Sequence, residues 1–586
     1  MGIDLRRRRP RHAAALVVSV ALALLYVSPY MPSGVVVSHD LNGFLGGIVE
    51  GRNALAEGQF PIRVAPNING QSRNATFQFY ANLPYTVTAA LHRALEPNPY
   101  AAWKLVCFLT LVLGGWATYR LAWRWTRDPW AALASAAAFL SAPYLFADLW
   151  DRGAVAELTA LCLLPLAVSA TWGCFARPSV TRVVGCAAAW TALGLTHNIT
   201  YLYAFTFVGL FVLSFGRPRR RYAGRAGRLA AAGLLHAALI AWFLAPQLAL
   251  LGDLKIGDPP PDPYKIRFLT ELRVVFWPGV RNPDPCGIPR LGLQLGWLLL
   301  AGVLAAAAAV VAPGVGRFRR GMMARLLGLW ALAFAVVWQP FDFWPYLPGP
   351  YKFVQFTYRM LGFTSLFGAL LGGLAVAAWS VRRHRPVGPS APPSPRRRPP
   401  GWVGSGISVG VALTCWLYYP ELEYQPRGSW RALVDRPPMT GWDAYEVLPR
   451  APGPLPPGVT AAMPVEAARA AREANRGDRF RLRVDRPTRV TLPVAYYRGM
   501  LRVTVDGMPA AYGQDQQFTT ITLPPGRHRV RVGFVGLRWA NAVSLAGLAT
   551  AAALLGVAKY RRLRPGAKRT GEEKRTPLSG RVSLTG

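Results

Sequence analysis

Twelve apolar stretches, all but the short one at 183–196 near the length of a bilayer crossing, constrain this chain more than any other feature. A spanning helix needs about 20 mostly apolar residues, because the hydrocarbon core is about 30 Å thick. Such stretches fall near 13–31, 101–120, 130–147, 154–175, 183–196, 199–215, 229–251, 291–312, 323–340, 353–380, 402–419 and 539–558. With 52% hydrophobic and only 16% charged residues among 586, the chain is too apolar for a soluble protein of its size. A net charge of +39 would point a soluble protein towards nucleic acid. Here the basic residues flank apolar segments, so they read as a topology signal and no nucleic-acid partner is expected.

Alternation from a cytoplasmic N-terminus places 1–12, 120–129, 176–182, 216–228, 313–325, 382–400 and 559–586 inside. These hold 35 of the 67 Lys and Arg but only four of the 28 acids, Asp4, Asp128, Glu572 and Glu573. Every inside segment obeys the positive-inside rule. The expected setting is a cell inner (plasma) membrane with both termini cytoplasmic. Residues 1–31, with Arg6–Arg9 and Arg11 ahead of an apolar run, read as an uncleaved signal anchor. The same parity gathers 32–100, 148–153, 197–198, 252–290, 341–352 and 420–538 on the outer face. Thr76–Leu95 is semi-apolar but carries Pro84 and His92, so we expect a re-entrant or surface helix there.

The expected division is a transmembrane domain over 1–381 with its first outer loop at 32–100, a Pro- and Arg-rich cytoplasmic linker at 382–401, and a helix at 402–419. An outer module at 420–538, a last helix at 539–558 and a basic cytoplasmic tail at 559–586 complete it. Within the module the period-two runs Phe480-Leu482-Val484, Leu501-Val503-Val505 and Val530-Val532-Phe534 read as strands. Turn signals at Asp506-Gly507 and Pro524-Pro525-Gly526 separate them, which predicts a small β-sandwich over 478–536. The six cysteines are scattered without CxxC or Cys/His spacing, so neither a disulfide framework nor a metal site is expected. No motif requires a cofactor, although a divalent cation is compatible with the carboxylates described below. No GxxxxGK[ST] or post-strand GxGxxG exists, so direct use of cytoplasmic ATP is not expected.

The most informative polar stretch is Ser38-His39-Asp40-Leu41-Asn42, where the chain leaves its first apolar segment. Leu41, Phe44, Leu45, Ile48 and Leu55 share one helical face, which predicts an amphipathic helix along the membrane surface. Two readings apply to Asp40. It can cap that helix by accepting from a free backbone N–H. Alternatively it is a base that takes the proton of an acceptor hydroxyl as it attacks an activated sugar carbon.

A family resemblance starts from the same residues. His39-Asp40, Glu50-Gly51-Arg52, Gly58-Gln59-Phe60-Pro61-Ile62-Arg63 and Phe79-Tyr80-Ala81-Asn82-Leu83-Pro84-Tyr85 resemble the first outer loop of GT-C-type membrane glycosyltransferases. The nearest group is that of bacterial 6-pyruvoyl-tetrahydropterin-synthase-related membrane proteins, with YfhO-type proteins further off. Ala142-Pro143-Tyr144, Asp151-Arg152-Gly153-Ala154-Val155-Ala156-Glu157, Thr196-His197-Asn198, Gln355-Phe356-Thr357-Tyr358-Arg359 and Glu446-Val447-Leu448-Pro449 continue it in order. The chain departs at Phe356-Thr357-Tyr358-Arg359, where relatives often carry an aromatic Pro-Trp before the Arg. The resemblance implies an all-α, GT-C-like polytopic fold, a polyprenyl-phosphate-linked sugar as donor and a glycan, lipid or protein acceptor. It assigns the base to Asp40, and it brings His39, Arg63 and Tyr80 into the candidate binding set.

Four further groups join that set. Asp148, Asp151, Arg152 and Glu157 cluster at one bilayer face; Asp151 as a cap and Arg152 as an interfacial cation is one reading, and substrate binding is the other. Glu157 lies inside an apolar helix, where ionisable groups are paired or functional, so it pairs with Arg152 or holds the acceptor or a cation. His197 and Asn198 sit at a hairpin tip and suit either a structural or a binding role. Lys352 and Arg359 either snorkel or clamp a lipid phosphate. The loop 252–290 is long, polar and aromatic, as lids are and as solvated loops are. Two non-enzymatic classes compete: a transporter or flippase for lipid-linked glycans, and a non-catalytic glycan-binding scaffold. The first would show repeated halves with broken helices, and no such repeat is visible.

Overall fold

A computed structural model describes residues 9–31, 34–68, 72–95, 98–215, 219–255, 272–280, 291–354, 356–382, 401–419, 422–426, 428–431, 447–473 and 476–563. Outside them lie nearly all of the linker expected at 382–401, the tail beyond 563, Gln355, Glu446, Cys286 and most of the polar loop 252–290.

Among the described residues seven helices are long and apolar enough to cross a membrane: His12–Tyr30, Pro99–Thr126, Val155–Ala176, Ala223–Asp253, Arg317–Trp338, Thr357–Ser380 and Arg538–Arg561. Pro129–Leu140 and Pro143–Asp151 meet at a 44° bend and make an eighth if they form one broken span. Pro143 explains the break, since its ring supplies no backbone N–H and disfavours a helical conformation just before it. Four further apolar helices are shorter: Val180–Gly194, Asn198–Leu213, Trp297–Val311 and Gly404–Tyr418. At 1.5 Å per residue, 15 helical residues cover only about 22 Å, less than the hydrocarbon core. The twelve apolar stretches are therefore unequal elements; hydropathy marks only 183–196 as short, and the structure adds Asn198–Leu213, Trp297–Val311 and Gly404–Tyr418.

The first loop folds inward. Leu41–Ala56 forms the expected helix, but Glu50 and Gly51 are buried along with Leu41, Phe44, Leu45 and Ile48. Glu50 accepts from the Asn67 backbone N–H at 2.6 Å, from Asn67 Nδ2 at 2.9 Å and from Asn53 Nδ2 at 3.1 Å. Gly51 lets a second helix approach so closely that a Cβ there would lie 2.9 Å from Ala89 Cβ. The helix is thus buried beyond the apolar face read from the sequence, while Asn42 and Ala56 stay exposed. That second helix, Asn82–Ala94, follows the turn Thr76–Phe79 after a break at Ala81, whose φ is 47°. It is not among the helices long and apolar enough to cross a membrane.

The C-terminal region is β-rich. A four-stranded sheet runs in the order Ala461–Met463, Thr488–Ala495, Phe518–Leu523, Gly513–Asp515. A five-stranded sheet runs Arg472–Glu473, Arg476–Val484, Gly526–Phe534, Leu501–Val505, Met508–Pro509. Leu492 and Ile521 from the first share one apolar core with Phe480, Leu482, Val530 and Val532 from the second. The alternation read from sequence is thus the alternation of core and solvent along each strand.

That core also includes Val64, Ala75 and Phe79 of the first loop. Tyr497 Oη accepts from the Ala75 backbone N–H at 2.8 Å, and the Ala495 N–H donates to the Ser72 carbonyl at 2.7 Å. Val35–Val36 pairs antiparallel with Tyr424–Gln425, some 390 residues away in sequence. Arg63 adds a further tie: it donates to the Val535 carbonyl at 3.3 Å and to Asn541 Oδ1 at 2.9 Å, and lies 4.9 Å from the Trp242 ring centre. Arg63→Ala removes all three contacts, each worth roughly 0.5–3 kcal/mol. We expect faster limited proteolysis of the β-rich region in the purified variant; an unchanged digestion pattern contradicts this role.

Candidate functional site

The carboxylates and guanidiniums flagged in the sequence meet where the broken helix pair ends. Ala147–Asp151 forms a π-helical turn, a form found often at functional sites. Gly153 follows with φ 65°, a conformation that glycine adopts without strain. A Cβ at Gly153 would lie 2.7 Å from Ser38 Oγ and 2.9 Å from Leu41 Cβ, so the first loop sits directly on this turn. The contact is reinforced by the backbone: the His39 N–H donates to the Asp151 carbonyl at 3.1 Å, and the Asp40 N–H to the Arg152 carbonyl at 2.7 Å. Gly153→Ala adds both strain and overlap at this seam. We expect the variant to melt earlier by the equivalent of about 1–3 kcal/mol; wild-type thermal stability would show that the seam is not tightly fitted.

Arg152 is the hub. Its Nη1 donates to Asp148 Oδ1 at 2.6 Å and to Glu157 Oε2 at 2.7 Å, while Nη2 reaches Asp40 Oδ2 at 3.5 Å. Glu157 enters in the first turn of Val155–Ala176, where the helix dipole favours a negative charge. Its Oε1 accepts from Tyr144 Oη at 2.7 Å, and its Oε2 lies 3.4 Å from Arg359 Nε. The Tyr358 ring stands 5.7 Å from the Arg152 guanidinium. Three carboxylates, Asp40, Asp148 and Glu157, therefore face two guanidiniums, Arg152 and Arg359. Four of these five side chains are buried. Only Asp40 is open to solvent, at 45%.

Asp40 occupies the N-cap position of Leu41–Ala56, yet its side chain makes no capping hydrogen bond. The capping reading of Asp40 therefore fails on geometry: the carboxylate turns towards Arg152 instead. Asp151 does not cap either; its Oδ2 accepts from the Gly292 backbone N–H at 2.7 Å and ties the turn to another segment. Arg152 does not snorkel, because three carboxylates hold it inside.

Tyr80 belongs to the same neighbourhood. Burial and the nearby Asp40 carboxylate push its phenol up, with Arg359 opposing, so it stays a neutral donor. Its ring meets that of His197 edge-on at 5.9 Å. His197 Nδ1 accepts from the Thr200 backbone N–H at 3.3 Å and lies 2.8 Å from Thr200 Oγ1, capping Asn198–Leu213. That role requires an unprotonated Nδ1 and leaves the ring proton on Nε2. Burial pushes this imidazole down to about 3, so it is neutral at physiological pH.

Other candidates lie elsewhere. Arg63 is committed to the β-rich region, as above. Asn198 Nδ2 donates to the Phe79 carbonyl at 3.0 Å and to Gln247 Oε1 at 3.1 Å, fastening the first loop to another helix. For both residues the structure supplies a tethering role. Lys352 falls in the turn Gly349–Val354, and its side chain lies outside the described residues. His39 is half-buried and next to Asp40. Conversely, the sequence assigns no role of its own to Tyr144, and it flags Asp148 only as a member of the charged cluster. Asp148 is fully buried, and its Oδ2 has no hydrogen-bond partner among the described residues. Its place beside Asp151 and Glu157 was the available signal.

A family model described as the 6-pyruvoyl-tetrahydropterin synthase related domain of membrane proteins matches residues 77–387. The chain belongs to this family. No curated protein matches the chain. Among solved structures, this family member is similar to the arabinofuranosyltransferase AftD from Mycobacteria at 15% identity and a TM-score of 0.46, covering 78% of this chain and 29% of that one. It is similar to the Archaeoglobus fulgidus oligosaccharyltransferase at 12% identity and a TM-score of 0.46, covering 77% and 62%. It is also similar to ArnT from Cupriavidus metallidurans, solved with undecaprenyl phosphate, at 18% identity and a TM-score of 0.38, covering 72% and 68%. The chain thus spans less than two thirds of the first two. Asp40 lies ahead of the segment that the family model matches.

Proposed function

We propose that this protein is an integral membrane glycosyltransferase, moving a sugar from a polyprenyl-phosphate donor to an extracytoplasmic glycan, lipid or protein acceptor. One observation carries the reading: the solvent-open Asp40 carboxylate leaves its capping position and joins a buried ionic cluster. Asp40 is the general base. It takes the proton of an acceptor hydroxyl while that oxygen bonds to the anomeric carbon, and the bond from that carbon to the lipid phosphate breaks. The departing phosphate carries away the electron pair and needs positive charge nearby. Arg152 and Arg359, with Lys352, are the residues assigned to it; His39, Tyr80 and His197 line the approach. Glu157, Asp148 and Tyr144 act through Arg152 by holding its guanidinium in one orientation.

The accompanying architecture has twelve crossings, counting the short helices and the broken pair, in an inner membrane with both termini cytoplasmic. The β-rich region is a sandwich on the outer side, beside the first loop. The buried network supports a positional role for Arg152, because both its nitrogens on one edge are already oriented before substrate arrives.

The test compares cell-envelope glycans and lipid-linked sugars with and without the protein. Loss of one sugar together with accumulation of its donor is the expected outcome. A complete glycan held on the inner leaflet would overturn the reading in favour of a flippase, and unchanged glycans with unchanged donor pools would leave a non-catalytic scaffold.

A further inference from the structure

The solvent face of the five-stranded sheet carries an arrangement that folding does not explain. Strands Arg476–Val484 and Gly526–Phe534 pair antiparallel with Arg479 opposite Arg531, Arg481 opposite Arg529, and Arg483 opposite Arg527. Like charges directly opposite on adjacent strands repel and destabilise a sheet. Here three such rungs stack in register. Arg502, opposite Gly533 on the neighbouring strand, adds a seventh guanidinium to the face.

Local acids compensate only in part. Glu473 accepts from Arg481 at 2.9 Å and Asp478 from Arg531 at 3.1 Å, while Asp485 lies 3.7 Å from Arg483. The guanidiniums stay open nonetheless: the side chains of Arg481, Arg483 and Arg531 are 66%, 69% and 59% exposed. Arg479 Nε is the exception, shielded from solvent and without a hydrogen-bond partner among the described residues. Arg479, Arg481, Arg502, Arg529 and Arg531 line a depression of about 680 Å³, floored by Gly507 and Gly533. Its aromatic lining is Phe480, which is buried in the core, and the half-buried Phe534, so the exposed side chains are chiefly guanidiniums.

We propose that this face binds an elongated saccharide carrying phosphate or carboxylate groups, gripped by successive pairs of guanidiniums. Rungs recur every second residue, about 6.7 Å along the strand, and the two columns stand about 5 Å apart. Each rung therefore offers two guanidiniums to one oxyanion, and arginine's planar fork suits carboxylate and phosphate alike. The rungs recede along Gly526–Phe534 from the end that leads into the helix Arg538–Leu563. A flat lipid surface at that end would meet the Arg479/Arg531 rung first, whereas an elongated chain engages all three. The choice of a saccharide rests on the proposed transfer reaction; the anionic chemistry rests on the face alone.

The experiment uses the full chain in neutral-lipid nanodiscs and fluorescently labelled polygalacturonate fragments, read by anisotropy. We expect binding that raised salt weakens and that neutral dextran does not displace. Arg481→Gln with Arg529→Gln removes the central rung and should weaken binding about tenfold or more, while Arg481→Lys with Arg529→Lys should retain part of it. Arg93→Gln with Arg431→Gln removes two exposed charges elsewhere and should change little. Asp40→Asn should bind as the wild type does, which separates this site from the fate of the catalytic reading. Equal binding by the central-rung variant overturns the proposal, as does an equal loss in the Arg93/Arg431 control. Inorganic polyphosphate binding without binding of either polygalacturonate or phosphorylated mannan fragments overturns the saccharide. Absence of polygalacturonate binding in neutral-lipid nanodiscs, together with capture of added phosphatidylglycerol vesicles that the central-rung variant loses, would show that the face docks on lipid instead.

Discussion

Asp40→Asn yields a protein that folds and inserts normally but transfers sugar roughly 10²–10⁴-fold more slowly, the usual contribution of general acid–base catalysis. The structural part of this expectation follows from exposure. Asp40 reaches Arg152 at only 3.5 Å with its side chain 45% exposed, and such pairs contribute about 0–1 kcal/mol. The backbone bond from Asp40 to the Arg152 carbonyl is untouched by the substitution. Asparagine keeps the shape and an acceptor oxygen but cannot take up a proton at physiological pH. The measurement is transfer from a polyprenyl-phosphate sugar by purified protein, alongside its melting temperature. Undiminished transfer by a normally folded variant removes Asp40 as the base.

Glu157→Gln has the opposite signature. Glu157 is bonded to Tyr144, Arg152 and Arg359 with almost no solvent contact. Removing its charge leaves two buried guanidiniums facing each other with less compensation, and breaking a buried pair in this way costs about 3–5 kcal/mol. We expect a large fall in melting temperature and in the yield of folded protein. Adding Arg359→Gln should restore part of the loss, because the excess positive charge is then reduced; such non-additivity is the mark of a shared network. Unchanged stability of Glu157→Gln would mean that the cluster is solvated and not buried as described.

What could be read in advance was what local pattern encodes. Apolar length located the helices, and period-two alternation located the strands Arg476–Val484, Leu501–Val505 and Gly526–Phe534. The pairing of Arg152 with Glu157 was legible because a buried acid in an apolar helix needs a cation nearby. The orientation of Asp40 was not legible, since a cap and a base occupy the same position in sequence. Nor was the burial of Glu50, which depends on Asn67 reaching it across a loop. The contacts of Arg63 and Asn198 were not legible for a related reason: their partners at Val535, Asn541 and Gln247 are brought close only by the packing of distant segments.

The antiparallel pairing of Val35–Val36 with Tyr424–Gln425, and the apolar core that Phe79 shares with Tyr497, bear on how this protein can be divided. The segment matched by the family ends near residue 387 and starts after Asp40. A fragment cut to those limits would lose the loop that rests on Gly153, and one lacking only the β-rich region would strip the cover from Val64, Ala75 and Phe79. The unit that must stay together is therefore set by closure of the chain on itself, from Val35 to Asn541, and it extends well beyond both ends of the unit by which the protein's kinship is recognised.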